Sequence, residues 1–155
     1  MSSTPSVGDL APEFEAESTA GLIRLSDTRG HKLVLYFYPK DNTPGCTTET
    51  QDFRNNHRAF GKLDCFIAGV SRDSLKSHEK FAEKLSLPFP LISDPEEKLC
   101  SLFDVMRQKQ MYGKTVRGIE RSTFLINEQG KIVKAWRGVK VPGHVDEVLT
   151  AVKAL

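Results

Sequence analysis

Leu33-Val34-Leu35-Tyr36-Phe37-Tyr38-Pro39-Lys40-Asp41-Asn42-Thr43-Pro44-Gly45-Cys46 decides how this chain folds. The run from Leu33 to Tyr38 is continuously apolar and aromatic, the pattern of a strand buried on both faces. From Thr47 to Phe60 the spacing turns helical. Cys46, Phe53 and Phe60 fall seven apart with His57 four after Phe53, while Asp52, Arg54 and Arg58 lie off that stripe. A cysteine thus stands where a central strand hands over to a helix, in a loop stiffened by two prolines.

The rest of the chain arranges itself around that junction. Residues 1–12 read as a loose lead-in, Phe14–Ala16 and Leu22–Leu25 as short strands, and Ser26–Gly30 as a turn or a single helical turn. Asp64–Ser71 reads as a second buried strand. Asp73 or Ser74 then caps a helix with Leu75, His78, Phe81, Ala82 and Leu85 on its apolar face, stopped by Pro88. Phe89–Ile92 is a short strand. Ser93-Asp94-Pro95-Glu96 begins a helix with proline at its first position, expected to run to about Met106. Residues 107–118 are polar and read as a loop. Ile119–Asn127 and Lys131–Trp136 form a hairpin, and Val145–Leu155 a last helix burying Val148, Leu149 and Val152. The expected fold is α/β: a mixed central sheet with helices on both faces and an N-terminal β-hairpin, in one domain over residues 1–155. That element order resembles the thioredoxin-like class, where chemistry sits between the first long strand and its helix.

Composition narrows the function. The 155 residues suffice for one sizeable core, and a net charge of +2 argues against nucleic acid as a partner. No run approaches the ~20 apolar residues of a membrane span. Met1-Ser2-Ser3-Thr4-Pro5 lacks the basic start and apolar core of a leader, so a cytoplasmic protein is expected. The three cysteines, Cys46, Cys65 and Cys100, are odd in number and sparse, which fits a reducing compartment rather than a disulfide framework. No Cys-x-x-Cys or His-Glu-x-x-His motif is present, so no metal site is expected.

Cys46 has the surroundings of a reactive thiol. Thr43-Pro44-Gly45-Cys46 starts a helix, so unpaired N–H groups and the helix dipole would favour a thiolate. The same donors would stabilise negative charge moving from sulfur to a departing oxygen. Arg121, on the face shared by Ile119, Thr123 and Leu125, is either a second source of positive charge or a solvated strand-end residue. The Thr43 hydroxyl has two competing uses, as a helix cap or as a substrate ligand. Cys65, on an apolar strand, and Cys100, beside Leu99, Leu102 and Phe103, read as packing residues.

Pro39-x-x-x-Thr43-x-x-Cys46 resembles the active-site motif of the peroxiredoxins, and the run from Tyr36 to Glu49 resembles their Q-type branch, the bacterioferritin comigratory protein family. Val70–Ser74, Phe89–Asp94, Tyr112–Lys114 and Gly118–Ile126 are similar to further blocks of that family, so the resemblance covers roughly Val7 to Leu155. It implies a thiol-dependent peroxidase of antioxidant function that reduces hydrogen peroxide and alkyl hydroperoxides through a Cys46 sulfenic acid. Thr43 would bind the peroxide oxygens, Pro39 would shield the sulfenate, and Arg121 would hold the thiolate. Glu49 would fix the arginine, with Gly45 supporting the same loop. No metal, flavin or nicotinamide is implied; the family needs no cofactor. A monomer, or at most a weak dimer, is expected.

The chain departs from the family at the resolving cysteine. The two places where Q-type members carry it hold Gln51 and Ala82. Five residues along an intact helix would separate the two Cα atoms by ~7–8 Å in any case, beyond easy disulfide reach. Cys65 and Cys100 would need larger motions. A one-cysteine cycle is therefore expected, resolved by thioredoxin or by glutathione with glutaredoxin, with a two-cysteine cycle through Cys100 or Cys65 as the alternative. A thiol–disulfide oxidoreductase would need a cysteine at Glu49, and none of His31, His57, His78 or His144 stands in a hydrolase motif. A redox sensor or binding module switched by Cys46 oxidation is the non-enzymatic rival. The bases Arg107, Lys109, Lys114 and Arg117 give it slight support, although a solvated loop is the better explanation of them.

Overall fold

A computed structural model describes residues 4–155, so the first three residues of the Met1–Pro5 stretch lie outside it. A seven-stranded mixed sheet organises it. The chain forms β1 (Glu15–Ser18), β2 (Gly21–Arg24), a 3₁₀ turn (Leu25–Thr28), β3 (Lys32–Phe37), α1 (Pro44–Lys62), β4 (Cys65–Ser71), α2 (Leu75–Leu85), β5 (Leu91–Ser93) and α3 (Lys98–Leu102). It continues through β6 (Met106–Met111), β7 (Lys114–Ile119), β8 (Ser122–Ile126) and β9 (Ile132–Arg137) to α4 (His144–Lys153). The main sheet runs β2-β1-β5-β4-β3-β8-β9. β3, β4 and β5 are parallel, with β1, β8 and β9 antiparallel to their neighbours.

β3 is central because both its faces are apolar. Leu33, Leu35 and Phe37 enter one core layer with Leu99, Cys100 and Phe103 around α3. Val34, Tyr36 and Tyr38 enter the other, under α1, α2 and α4. Helices therefore cover both faces, as the pattern predicted. On α1 the residues Cys46, Phe53 and Phe60 are buried at the expected spacing, and Tyr36 stacks on Phe53 with ring centres 4.5 Å apart. Gly69 makes room for that stack. A Cβ there would lie 2.8 Å from the Tyr36 ring.

Four expectations are corrected. The lead-in is tied down: Gly8 N–H donates to Ile132 O, Ala11 N–H to Gly130 O, and Leu10 bridges Lys131. The helix after Asp94 begins at Lys98 and ends at Leu102, because the Asp94 carboxylate accepts from the Leu99 and Cys100 N–H groups and so caps a later start. Residues 107–118 are not a loop but most of the β6–β7 hairpin. The strand expected from Ile119 is two strands: β7 ends there, Glu120 and Arg121 lie outside any strand, and β8 starts at Ser122. Arg121 thus does not alternate with Ile119 on one face. Among the described residues no helix is long and apolar enough to cross a membrane.

Candidate active site

The register of β3 and β8 assembles the site. Phe37, last in β3, pairs with Ser122, first in β8, so Arg121 arrives beside the loop that leaves β3. Its backbone is held there by Val139 N–H, which donates to Arg121 O at 2.9 Å. Pro39, half-buried, and Lys40 lead to Thr43, whose extended backbone makes it the N-cap of α1 with Pro44 at the first position. The Thr43 hydroxyl does not cap the helix. It donates to Lys40 O at 2.9 Å, which leaves its oxygen lone pairs free as acceptors.

Cys46 is only 1% exposed, in the first turn of α1 where N–H groups lack helical partners. Arg121 Nη2 donates to its sulfur at 3.3 Å, and Arg121 Nη1 donates to Glu49 Oε1 at 2.6 Å. A single guanidinium therefore spans a thiol and a carboxylate that sit one turn apart on α1. Gly45 permits this approach: a Cβ at that position would lie 3.3 Å from Arg121 Nη2. Cys46, Arg121, Glu49 and Gly45 are thus brought together, with Thr43 and Pro39 at the rim of the same loop.

Glu49 is fully buried, and its Oε2 has no hydrogen-bond partner among the described residues. An unsatisfied buried acceptor costs about 1–3 kcal/mol. Burial pushes the Glu49 carboxyl up to about 7, against the opposing pull of the Arg121 guanidinium. His144, buried at the start of α4 and bonded to Thr123 Oγ1 at 2.8 Å, is driven down to about 4 by burial, with the Arg121 charge acting in the same direction.

A second polar network holds the loop from behind, and sequence reasoning missed it. Asp41 is buried, accepting at Oδ1 from Tyr38 Oη (2.6 Å) and at Oδ2 from Ser77 Oγ (2.8 Å). His78 Nδ1 lies 2.7 Å from Asp41 Oδ2, and His78 Nε2 lies 2.9 Å from Ile92 O. The ring thus ties the Asp41 carboxylate to the β5 backbone. The loop backbone is fixed too, since Asp41 N–H donates to Asp73 Oδ2 at 2.9 Å. The carboxylates of Asp41 and Asp73 and the His78 ring offer ligand atoms within 4.8 Å of one another. Protein donors already occupy these atoms, so the cluster reads as a brace rather than a metal centre. The signal that could have found it was His78 itself, a histidine on the apolar face of α2.

The other two cysteines lie elsewhere. Cys65 pairs with Lys32 at the far end of β3, about 20 Å down the sheet from the Cys46 end. Burial pushes its thiol up to about 12. Cys100 packs in the layer on the opposite side of the sheet from Cys46, and burial, with Asp94 beside it, pushes its thiol well above the ordinary range. Gln51 is half-buried on α1, and Ala82 is half-buried on α2.

Comparison with known proteins gives one consistent result. The AhpC/TSA family profile matches residues 7–135. Peroxiredoxin Bcp of Bacillus subtilis is 52% identical over 151 residues, 97% of this chain and 96% of that one. Peroxiredoxin Bcp of Xanthomonas campestris is 59% identical over 125 residues, 81% of this chain and 78% of that one. Among solved structures, a C-to-S mutant of Xylella fastidiosa PrxQ superposes with a TM-score of 0.93 at 46% identity, covering 98% of each chain. A structure of the Xanthomonas campestris bacterioferritin comigratory protein, solved to explain its alkyl peroxide reduction, superposes with a TM-score of 0.87 at 53% identity, covering 91% of this chain and 90% of that one.

Proposed function

The chain belongs to the AhpC/TSA family, in its peroxiredoxin Bcp branch, and from that premise we propose a one-cysteine peroxidase cycle on Cys46. The family makes it a thiol-dependent peroxidase. The observation that carries the assignment of residues is the Arg121 guanidinium lying 3.3 Å from Cys46 Sγ while anchored on Glu49.

In the oxidising step the Cys46 thiolate attacks the terminal oxygen of a hydroperoxide. The S–O bond forms as the O–O bond breaks, leaving Cys46 as a sulfenic acid and an alkoxide or hydroxide that takes up a proton. Arg121 and the free N–H groups of the first turn of α1 hold the sulfur and stabilise the negative charge that moves to the leaving oxygen. Thr43, with its own proton committed to Lys40 O, accepts the hydrogen bond of the peroxide O–H. Pro39 shields the product from water.

The reducing step draws on a second molecule. The positions that carry a resolving cysteine in the family hold Gln51 and Ala82, and Cys65 and Cys100 are remote, buried and poor nucleophiles. An external thiol, from thioredoxin or from glutathione with glutaredoxin, therefore condenses with the sulfenic acid, releasing water. A second thiol then frees Cys46 as the external disulfide forms. The whole chain acts as one thioredoxin-like domain, a cytoplasmic monomer.

Mass spectrometry after one equivalent of hydrogen peroxide in dimedone tests this reading. A dimedone adduct on Cys46 is expected, with no adduct and no turnover in Cys46→Ser. Retention of activity by Cys46→Ser, or an intramolecular disulfide to Cys65 or Cys100, would overturn it.

A further inference from the structure

The β6–β7 hairpin is an arm apart from the main sheet, forming a two-stranded ribbon of its own. Its strands turn at Tyr112-Gly113, both in the left-handed region with φ of 53° and 76°, as a tight two-residue hairpin requires. Residues 108–110 and 112–117 are exposed, with Tyr112 97% and Val116 43% accessible. A lone two-stranded ribbon is marginally stable. This one is tethered at its base, where Arg117 pairs with Glu97, Arg72 donates to Arg117 O, and Arg107 pairs with Asp104 and Glu120.

The ladder sorts the charges. Register pairs Arg107 with Gly118, Lys109 with Val116 and Met111 with Lys114, so Arg107, Lys109, Lys114 and Val116 share one face. Arg117 lies on the other, toward Glu97. Between Met106 and Ile119 there is no acidic residue, and Lys109 and Lys114 form no ion pair among the described residues. The arm is also rooted at the site: only Glu120 separates β7 from Arg121.

We propose that the Arg107–Lys109–Lys114 face of this arm is the docking surface for a protein dithiol reductant with an acidic surface, with Val116 and Tyr112 as its apolar contacts. The inference rests on the one-cysteine reading, in which the reducing thiol must come from outside. The face fits such a partner in sign and in size. A ribbon of six-residue strands offers a face about 20 Å by 10 Å. That suits a transient redox encounter burying less than about 1,200 Å², not a stable second copy of the chain, which needs 2,000 Å² or more. Its charge accelerates encounter rather than prolonging the complex, as a turnover partner requires. One partner thiol condenses with the Cys46 sulfenic acid and releases water. The other partner thiol then displaces Cys46 as the partner disulfide forms.

The test is the double charge reversal Lys109→Glu/Lys114→Glu in the full chain, with an acidic bacterial thioredoxin kept reduced by its reductase and NADPH. The expected result is a rise in KM for thioredoxin on the order of tenfold, with a flatter dependence on salt. Turnover with dithiothreitol stays at the wild-type level, and Lys153→Glu on α4 behaves as wild type. An unchanged KM for thioredoxin, an equal loss with glutathione, or no thioredoxin-supported turnover in the wild type would each overturn the proposal. Oxidation of Cys46 by peroxide, measured with no reductant present, reports separately on the reading beneath it.

Discussion

Arg121, part-buried, and Glu49, fully buried, form an ion pair that leaves one carboxylate oxygen without a partner among the described residues and one guanidinium nitrogen on the Cys46 sulfur. The pair needs the planar fork of arginine, since two nitrogens of one group serve two partners. Arg121→Lys keeps the charge and loses the fork. Its second-order rate with hydrogen peroxide, followed by stopped flow, is expected to fall by about 10²–10³. A fall of less than tenfold would show that charge alone suffices.

Gly45→Ala separates stability from activity. In the first turn of α1, alanine favours the helix over glycine by at most about 1 kcal/mol. The new Cβ, however, meets Arg121 Nη2 at 3.3 Å and displaces it from the sulfur. A higher urea midpoint with a slower peroxide reaction is expected.

Two buried groups make stability depend on pH in opposite senses. Glu49 titrates at about 7 when folded against an ordinary 4.5, so its protonated form is favoured by folding and stability falls as pH rises between these values. His144 titrates at about 4 against an ordinary 6.5, so its neutral form is favoured and stability falls as pH drops through that window. Urea midpoints between pH 4.5 and 7 should therefore rise with pH in Glu49→Gln and fall with pH in His144→Asn. Parallel slopes in the two variants would refute the assignment.

The brace behind the loop is expected to matter for both folding and rate. His78→Leu removes the imidazole from the buried Asp41 carboxylate, leaving it the Tyr38 and Ser77 hydroxyls, and should cost about 1–3 kcal/mol in urea unfolding. Removing the carboxylate charge as well, in His78→Leu/Asp41→Asn, should recover part of that loss, while a slower peroxide reaction persists because the loop loses its anchor.

Cys65→Ser/Cys100→Ser should retain wild-type peroxide turnover with an external thiol, measured as peroxide consumed per enzyme. Loss of turnover in a folded double variant would restore an internal resolving cysteine.

The sequence made α1, β3 and β4 readable because each presents a single strong period: unbroken apolar runs for the strands, a seven-residue stripe for the helix. The β6–β7 hairpin escaped because residues 108–110 and 114–117 are exposed on both faces and mostly polar, so no burial pattern marks them. Its one sequence signal was Tyr112-Gly113, a turn pair between two six-residue strands. Within the site, Cys46 and Thr43 follow from a local pattern at a helix start. The pairing of Arg121 with Glu49 spans 72 residues and depends on sheet register, which local pattern does not carry. The family resemblance supplied that pairing, whereas the Asp41–His78 pair, equally non-local, had no motif to mark it and escaped.

The contact between Arg121 and Cys46 joins residues 75 apart in the chain. A ribosome adding about 5–20 residues per second takes roughly 4–15 s to bridge that interval. Throughout it, the nascent thiol lacks its guanidinium. β8 must also emerge and pair with β3 before the two can meet, a long-range step that closes late. The order of translation thus leaves the thiol without its cationic partner until β8 has been synthesised and paired.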